Sequence, residues 1–509
     1  MNIIRNIIIA GLALGSSCMA SAAVADTFAQ GEFLFKILSQ EEKTVSVDRN
    51  SDYIGEIIDV VIPETVTFPG GQVYTVTLLD KFWPCSKLET ISLPKTITDF
   101  TWESAGISNV YNYFHPKLRA INIDPENPYF TSVDGVVYDK DVTTLLIAPG
   151  GKKTVTIPDG VRTIAPFSFA YAQNIEKVDF SDSVERIEEF AFNECKSLLE
   201  IRFSKNLKYI GQFAFGQCYG LEQLILPESV SVIGDDAFYH CENLKYIKVP
   251  SSLKVINRSV FECCFSLPFV VIPEGITEIK FGAFRGCNSL ASITLPASVS
   301  IIEVWAFANC ENLERIIISS ENPNYSSEGG MLLNKDKTIL YSGPGKGFVK
   351  IPDGIIHIGN EAFIGSSVEE VSIPPSVTSI SALTFIECDD LKKITCEAVT
   401  PPAIDGSYGS FLTYDLSTPM DLDIFVPGQS VELYKKADGW SKFKNRIYPI
   451  PGTESASIDS TVATNGSFTI YSLDGVLRLQ TDNRDDIQHL PAGIYIVSGD
   501  GTTEKVVVK

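Results

Sequence analysis

The chain reads as a β-rich solenoid: a right-handed, curved stack of coils built from short parallel strands with turns or 3-10 segments, followed by a small, sandwich-like all-β C-terminal domain. Three observations predict this. Between Val161 and Ile318 one phrase recurs every 23 residues, so Ile187, Ala191, Phe192, Cys195, Leu198 and Ile201 are answered by Ile210, Ala214, Phe215, Cys218, Leu221 and Leu224. Phe169, Phe192, Phe215, Phe238, Phe261, Phe284 and Phe307 keep that spacing, as do Cys195, Cys218, Cys241, Cys264, Cys287 and Cys310. The last 45 residues drop the period for short apolar runs split by turn residues. A unit of this size cannot bury its own apolar face and must stack on its neighbours, so self-similarity in the twenties means a solenoid.

From the amino terminus, residues 1–25 read as a signal peptide. Arg5 supplies the positive start, Ile7 to Leu14 the apolar core, and Ala23-Val24-Ala25 a cleavage site before Asp26. Ala20-Ser21-Ala22 is an equally legal site. Cys18 offers a lipidation alternative, although Gly15-Ser16-Ser17 precede it and the leucine stands one place too far upstream. Beyond the leader no segment reaches the ~18 uncharged apolar residues that span a bilayer.

Residues 26–81 alternate as Phe33-x-Phe35-x-Ile37, Val45-x-Val47 and Tyr74-x-Val76-x-Leu78, with no 23-residue echo. They are expected to form a β-rich N-terminal cap, because a terminal coil would otherwise expose its core. The solenoid is expected over residues 82–404. Pro84-Cys85-x-x-Leu88-x-x-Ile91-x-Leu93 opens it, and the pattern decays through Trp102 and Tyr111.

Two phrases interrupt the period near residues 121–160 and 316–354. Asp124-Pro125-Glu126-Asn127-Pro128-Tyr129 leads to Asp134-Gly135, and Ser320-Glu321-Asn322-Pro323-Asn324-Tyr325 leads to Gly329-Gly330. These turn formers flank β-branched and apolar runs, so each insert is expected to hold a β-hairpin inside a longer coil. Each is either a protruding binding loop or a variant repeat, with the second preferred.

Within a regular unit, Leu221 to Leu226 fits a strand closed by Pro227. Val230-x-x-Ile233 with Gly234 fits a second edge, and Asp235-Asp236-Ala237-Phe238 a tight helical or 3-10 turn. Stacking at strand spacing, ~4.8 Å per coil, would align equivalent residues in internal ladders. After Ile394 the pattern fades. Residues 405–450 carry a strand and a helix-like run, Val431-x-x-Tyr434-x-x-Ala437-x-x-Trp440, expected to cap the stack. Residues 451–464 are polar and unperiodic, hence a linker. Residues 465–509 are the C-terminal β-domain.

The unit Leu221-x-x-Leu224-x-Leu226-Pro227-x-x-Val230-x-x-Ile233-Gly234-x-x-Ala237-Phe238-x-x-Cys241 resembles the 23-residue, BspA-like class of bacterial leucine-rich repeat, over roughly Phe82 to Ile404. The resemblance implies a curved stack of coils on an extracellular bacterial protein that binds other macromolecules or cells. The tail, with Asp474-Gly475, Ala492-Gly493-Ile494-Tyr495-Ile496-Val497 and the terminal Lys505-Val506-Val507-Val508-Lys509, resembles the sorting domain of type IX secretion substrates. That implies export across the outer membrane and surface attachment or release. The other reading is a plain β-module.

Composition narrows the partners. The formal charge is −22, and loss of the leader, whose only charge is Arg5, makes it −23. Phosphate backbones demand clustered Lys and Arg, so nucleic acid is excluded, and anionic membrane surfaces are disfavoured for the same reason. His115, His240, His357 and His489 are isolated in sequence, without the spacing of a metal site. No nucleophile motif or phosphate loop appears. The chain is therefore expected to be non-enzymatic, without catalytic residues, metal or cofactor, and monomeric. The cysteine column is expected to be a ladder of reduced core thiols, because in a ladder the side chains point the same way into the core.

Alternation sends every second strand residue to the outer face. Carried by 23, this sets Ile225, Tyr246, Phe269 and Val271 side by side with Arg202 and Lys248 at the margin. Exposed apolar clusters rimmed by charge are where protein partners dock, although a sheet face also pairs such residues for its own stability. The expected function is that of an adhesin-like surface or secreted protein binding host or bacterial surface proteins or glycans. The alternatives are an envelope-organising repeat protein without a ligand and, last, a glycan-active protein.

Overall fold

The computed structural model describes residues 27–53, 55–80, 86–100, 116–405, 422–453, 468–472, 476–482, 484–491, 493–499 and 502–508. The leader with Cys18, Pro84-Cys85, Trp102, Tyr111, His115 and most of the linker lie outside the described residues. The regular region is the expected β-solenoid, and each coil has three sides.

The first side, the front sheet, is a face of short parallel strands, Lys177–Asp179, Glu200–Arg202, Gln223–Ile225, Tyr246–Lys248, Phe269–Val271, Ser292–Leu295 and Arg315–Ile318, whose hydrogen-bonded pairing is interrupted after Arg202 and after Lys248. Its pairings run in a constant 23-residue register, as in Val178 with Ile201 and Leu224 with Ile247. The second is a back sheet of two-residue strands, among them Arg186–Ile187, Tyr209–Ile210 and Val232–Ile233, also parallel.

The third side carries the Ala-Phe phrase, and here the structure corrects the expected helical or 3-10 turn. Alternate N–H groups bond different partners. Those of Phe213, Phe215 and Gln217 donate to Asp235, Ala237 and Tyr239 of the next coil at 3.1, 2.8 and 2.7 Å. Those of Ala214, Gly216 and Cys218 turn back to Gly211, Phe213 and Phe215. The price is a left-handed backbone at two places per coil, for example Phe213 (φ 50°) and Gln217 (φ 59°). Such a conformation is uncommon for bulky residues. It persists because the ladder to the neighbouring coil gives every second N–H a partner.

Inside, the phenylalanines stack with ring centroids 4.4 to 5.9 Å apart and planes within 22° of parallel from Phe169 to Phe307. The six column cysteines are fully buried and unpaired. Each thiol donates to the carbonyl of the phenylalanine 26 residues earlier, Cys195 to Phe169 and Cys218 to Phe192 at 3.1 Å. The ladder of reduced core thiols is thus present, and each Sγ fills a hydrogen-bonding role as well as a space. Burial pushes the Cys241 and Cys310 thiols up to about 12.

Both inserts hold the expected hairpin. Phe130–Val133 pairs antiparallel with Val136–Asp139, and Tyr325–Glu328 with Met331–Asn334. Neither protrudes as a loop. Val136, Val137 and Tyr138, like Met331, Leu332 and Leu333, are buried, and a third strand from each insert joins the back sheet. Each is pinned by its Asn-Pro phrase. Asn322 Nδ2 donates to Val299 O at 2.8 Å, while its Oδ1 accepts the N–H groups of Asn324 and Tyr325. Asn127 repeats this on Ile97, Tyr129 and Phe130.

At the amino end, Asp59–Val61 already pairs in parallel with Thr90–Leu93, so coil stacking begins before residue 82, where the sequence pattern becomes visible. These first coils lack the Ala-Phe phrase. At the carboxyl end Tyr434 and Trp440 pack edge to face at 4.9 Å, and the Trp440 indole N–H donates to Pro402 O. The helix of that cap shrinks to Val431–Tyr434 and a 3-10 stretch, Trp440–Arg446. The C-terminal β-domain is one antiparallel sheet among the described residues. Its centre is Phe468–Ser472, and Ile487 of a 3-10 segment packs on Ile470, Tyr495 and Val497.

Candidate functional site

Strand alternation decides what the front sheet shows. In Gln223–Ile225, Tyr246–Lys248 and Phe269–Val271 the central residue is buried and both flanking ones are exposed. The predicted cluster therefore lies on one face. Ile225 and Val271 are 64% and 67% exposed, Phe269 47% and Tyr246 38%. Ile225 registers against Lys248, and the Tyr246 and Phe269 rings meet edge to face with centroids 6.4 Å apart. Lys248 Nζ is held by Glu228 at 2.9 Å, which also draws the Glu228 carboxyl down to about 2, Ser251 adding further hydrogen bonds. Arg202 is exposed at the end of its strand. The patch is apolar at its centre with basic groups beside it.

Sequence reasoning did not single out the third side. Its left-handed column reads Phe167, Phe190, Phe213, Asp236, Ser259, Gly282, Trp305. The first three rings stack at 4.9 and 5.1 Å, half-exposed. The period that revealed the core Phe column would have revealed this one, two residues before each column phenylalanine.

The second insert leaves a different feature. Its coil has no Ala-Phe phrase, so the turn ladder passes from Trp305–Cys310 to Glu361–Ser366. The Asn309 N–H donates to Ile364 O at 3.0 Å, and the Trp305 indole N–H to Glu361. The skipped level leaves a cavity of about 620 Å³ lined by Trp305, Phe307, Tyr325, Tyr341, His357 and Phe363.

Among the described residues, no three His, Cys, Asp or Glu side chains are grouped as metal ligands. No helix among them is long and apolar enough to cross a membrane.

The family match agrees with the coil geometry. Residues 152–268, 254–328 and 346–404 match the model of the BspA type leucine rich repeat region, in six copies. No curated protein matches the chain. Among solved structures, a leucine rich cell surface protein from Faecalibacterium prausnitzii is 25% identical, covering 60% of this chain and 96% of its own, with a TM-score of 0.30. A leucine-rich repeat protein from Bacteroides ovatus is 20% identical over 83% of this chain and 99% of its own, with a TM-score of 0.33. The pneumococcal vaccine antigen PcpA is 15% identical over 84% and 97%, with a TM-score of 0.27. The matched coils are similar to BspA-type leucine-rich repeats, and the fold is that of a leucine-rich-repeat solenoid.

Proposed function

We propose that this is a non-enzymatic, adhesin-like binding protein of the cell surface or the extracellular space, acting as a monomer and docking a protein partner on its front sheet. The observation that carries the reading is the contiguous exposure of Ile225, Tyr246, Phe269 and Val271 over three coils. Large side chains that stay exposed together are a docking signature, since aromatic anchors supply most of the energy of a protein interface. Lys248 and Arg202 at the edge suit an interface rim. The BspA-type repeats support the coarser part of the reading, a surface protein-binding role. In the same proposal residues 1–25 direct export, and residues 465–509 act as the type IX sorting domain.

The test is binding of the full chain, without its leader, to immobilised extracellular-matrix proteins beside the Tyr246→Ala/Phe269→Ala double variant. A matrix-protein ligand whose affinity falls at least tenfold in the variant, with unchanged melting, is the expected outcome. A ligand retained at full affinity would move the site off the front sheet. A folded protein without any protein ligand would favour the envelope-organising role.

A further inference from the structure

The third side of the stack holds a trough that the front-sheet reading leaves unused. The left-handed column is filled by aromatic rings up to Phe213 and again at Trp305, but between them it carries Asp236, Ser259 and Gly282. Three successive coils therefore lack the bulky side chain that would continue the aromatic stack. Four steps at strand spacing separate the two ends, roughly 19 Å. The result is a partly open cavity of about 590 Å³, lined in addition by Arg258, Tyr239 and Arg285.

Its polar groups are pre-arranged. Arg285 Nη1 donates to Glu262 Oε1 at 3.0 Å while its guanidinium lies 5.1 Å from the Trp305 ring centre. The Arg258 guanidinium lies 5.1 Å from the Phe281 ring centre, and Asp235 accepts the Arg258 backbone N–H. Phe213 meets Tyr239 edge to face at 5.7 Å, and Phe281 meets Trp305 at 5.1 Å. The Asp236 carboxyl accepts from the Gln212 side chain, yet partial burial lifts it to about 6.

Each feature constrains the occupant. Aromatic walls offer apolar surface, whereas fixed guanidinium, amide, carboxyl and phenol groups offer donors and acceptors side by side. The lining sets three carboxyl groups, Asp235, Asp236 and Glu262, against two guanidiniums, Arg258 and Arg285, and Arg285 is already paired with Glu262. No surplus positive charge remains for a sulfate or uronate, and the chain carries −22 overall. Aromatic surface at both ends, Phe213 with Tyr239 and Phe281 with Trp305, and mixed donors and acceptors between them match a chain of pyranose rings, which presents C–H faces and hydroxyls along its length. We propose that the trough between Phe213 and Trp305 is a binding site for an uncharged, extended oligosaccharide.

The test is titration calorimetry of the full chain with neutral oligosaccharides of four to six units (cello-, xylo-, manno- and malto-series), beside sulfated heparin fragments. Asp236→Phe extends the aromatic column as Phe190 and Phe213 already do, so it fills the trough with a side chain that the backbone accepts elsewhere. Arg258→Ala opens one wall without filling anything. The expected result is binding of at least one neutral series that falls at least tenfold in both variants, with melting close to that of the parent. Binding of the sulfated fragment alone, neutral binding unchanged in both variants, or no neutral ligand at all would each overturn the proposal. Tyr246→Ala/Phe269→Ala should leave the oligosaccharide affinity unchanged, which separates this site from the front sheet.

Discussion

The regular coils and the second variant coil solve one packing problem differently. In the regular coils stability is spread over columns. Every column Phe between Phe169 and Phe307 stacks on two others, every column thiol reaches a carbonyl of the coil before, and alternate N–H groups of the turn side reach the coil after. In the variant coil the column is broken. A single buried amide, Asn322, takes over by tying the hairpin to Val299 and Pro296. A repeat can thus lose its signature phrase and stay in the stack, provided a local polar anchor replaces the ladder and a void is tolerated beside it.

Four substitutions would break or sharpen this contrast. The largest effect is expected from Phe238→Ala, which removes a ring stacked at 5.6 and 5.7 Å on both sides in a fully buried column. Deleting a buried aromatic side chain costs about 3–5 kcal/mol, and chemical denaturation should show it. Loss below ~1 kcal/mol would mean that the coils act independently. Next comes Asn322→Ala, which strands the carbonyls of Val299 and Pro296 and two N–H groups, at about 1–3 kcal/mol. If melting is unchanged, the amide anchor is dispensable.

A smaller effect depends on pH. Burial holds the Asp236 carboxyl at about 6, above its ordinary 3.8, so the folded chain keeps this proton to higher pH than the unfolded chain does. The stabilisation is complete below about pH 4 and disappears as the pH rises through about 6. Asp236→Asn, which never ionises, should therefore gain in melting temperature relative to the parent at pH 7 and gain less at pH 4. The opposite ordering would show that Gln212 outweighs desolvation. The smallest change is expected from Tyr246→Ala, whose ring is partly in solvent. Its stability should shift by about 0.5 kcal/mol or less, so a larger shift would mark Tyr246 as structural.

Much of this fold is legible in the residues. The 23-residue register, the inward columns of Phe and Cys, and the exposed Ile225, Tyr246, Phe269 and Val271 all follow from counting, because period and alternation are properties of the chain itself. The turn side is not legible locally because its hydrogen bonds run to the next coil, 22 residues away. A window over Asp235-Asp236-Ala237-Phe238 contains none of those partners and resembles a helical turn. The start of stacking at Asp59 was hidden for a related reason: parallel pairing with Thr90–Leu93 needs no Ala-Phe phrase.

The sequence by itself determined that the coils stack, which residues face inward and which apolar side chains have no place inside. Only the tertiary structure decided how the turn backbone is satisfied, where the missing phrase leaves a void of about 620 Å³, and that Asp236, Ser259 and Gly282 open a trough between two aromatic ends. The reason is physical. Periodic burial is written once per residue, whereas a cavity or groove exists only in the space between coils brought together by stacking.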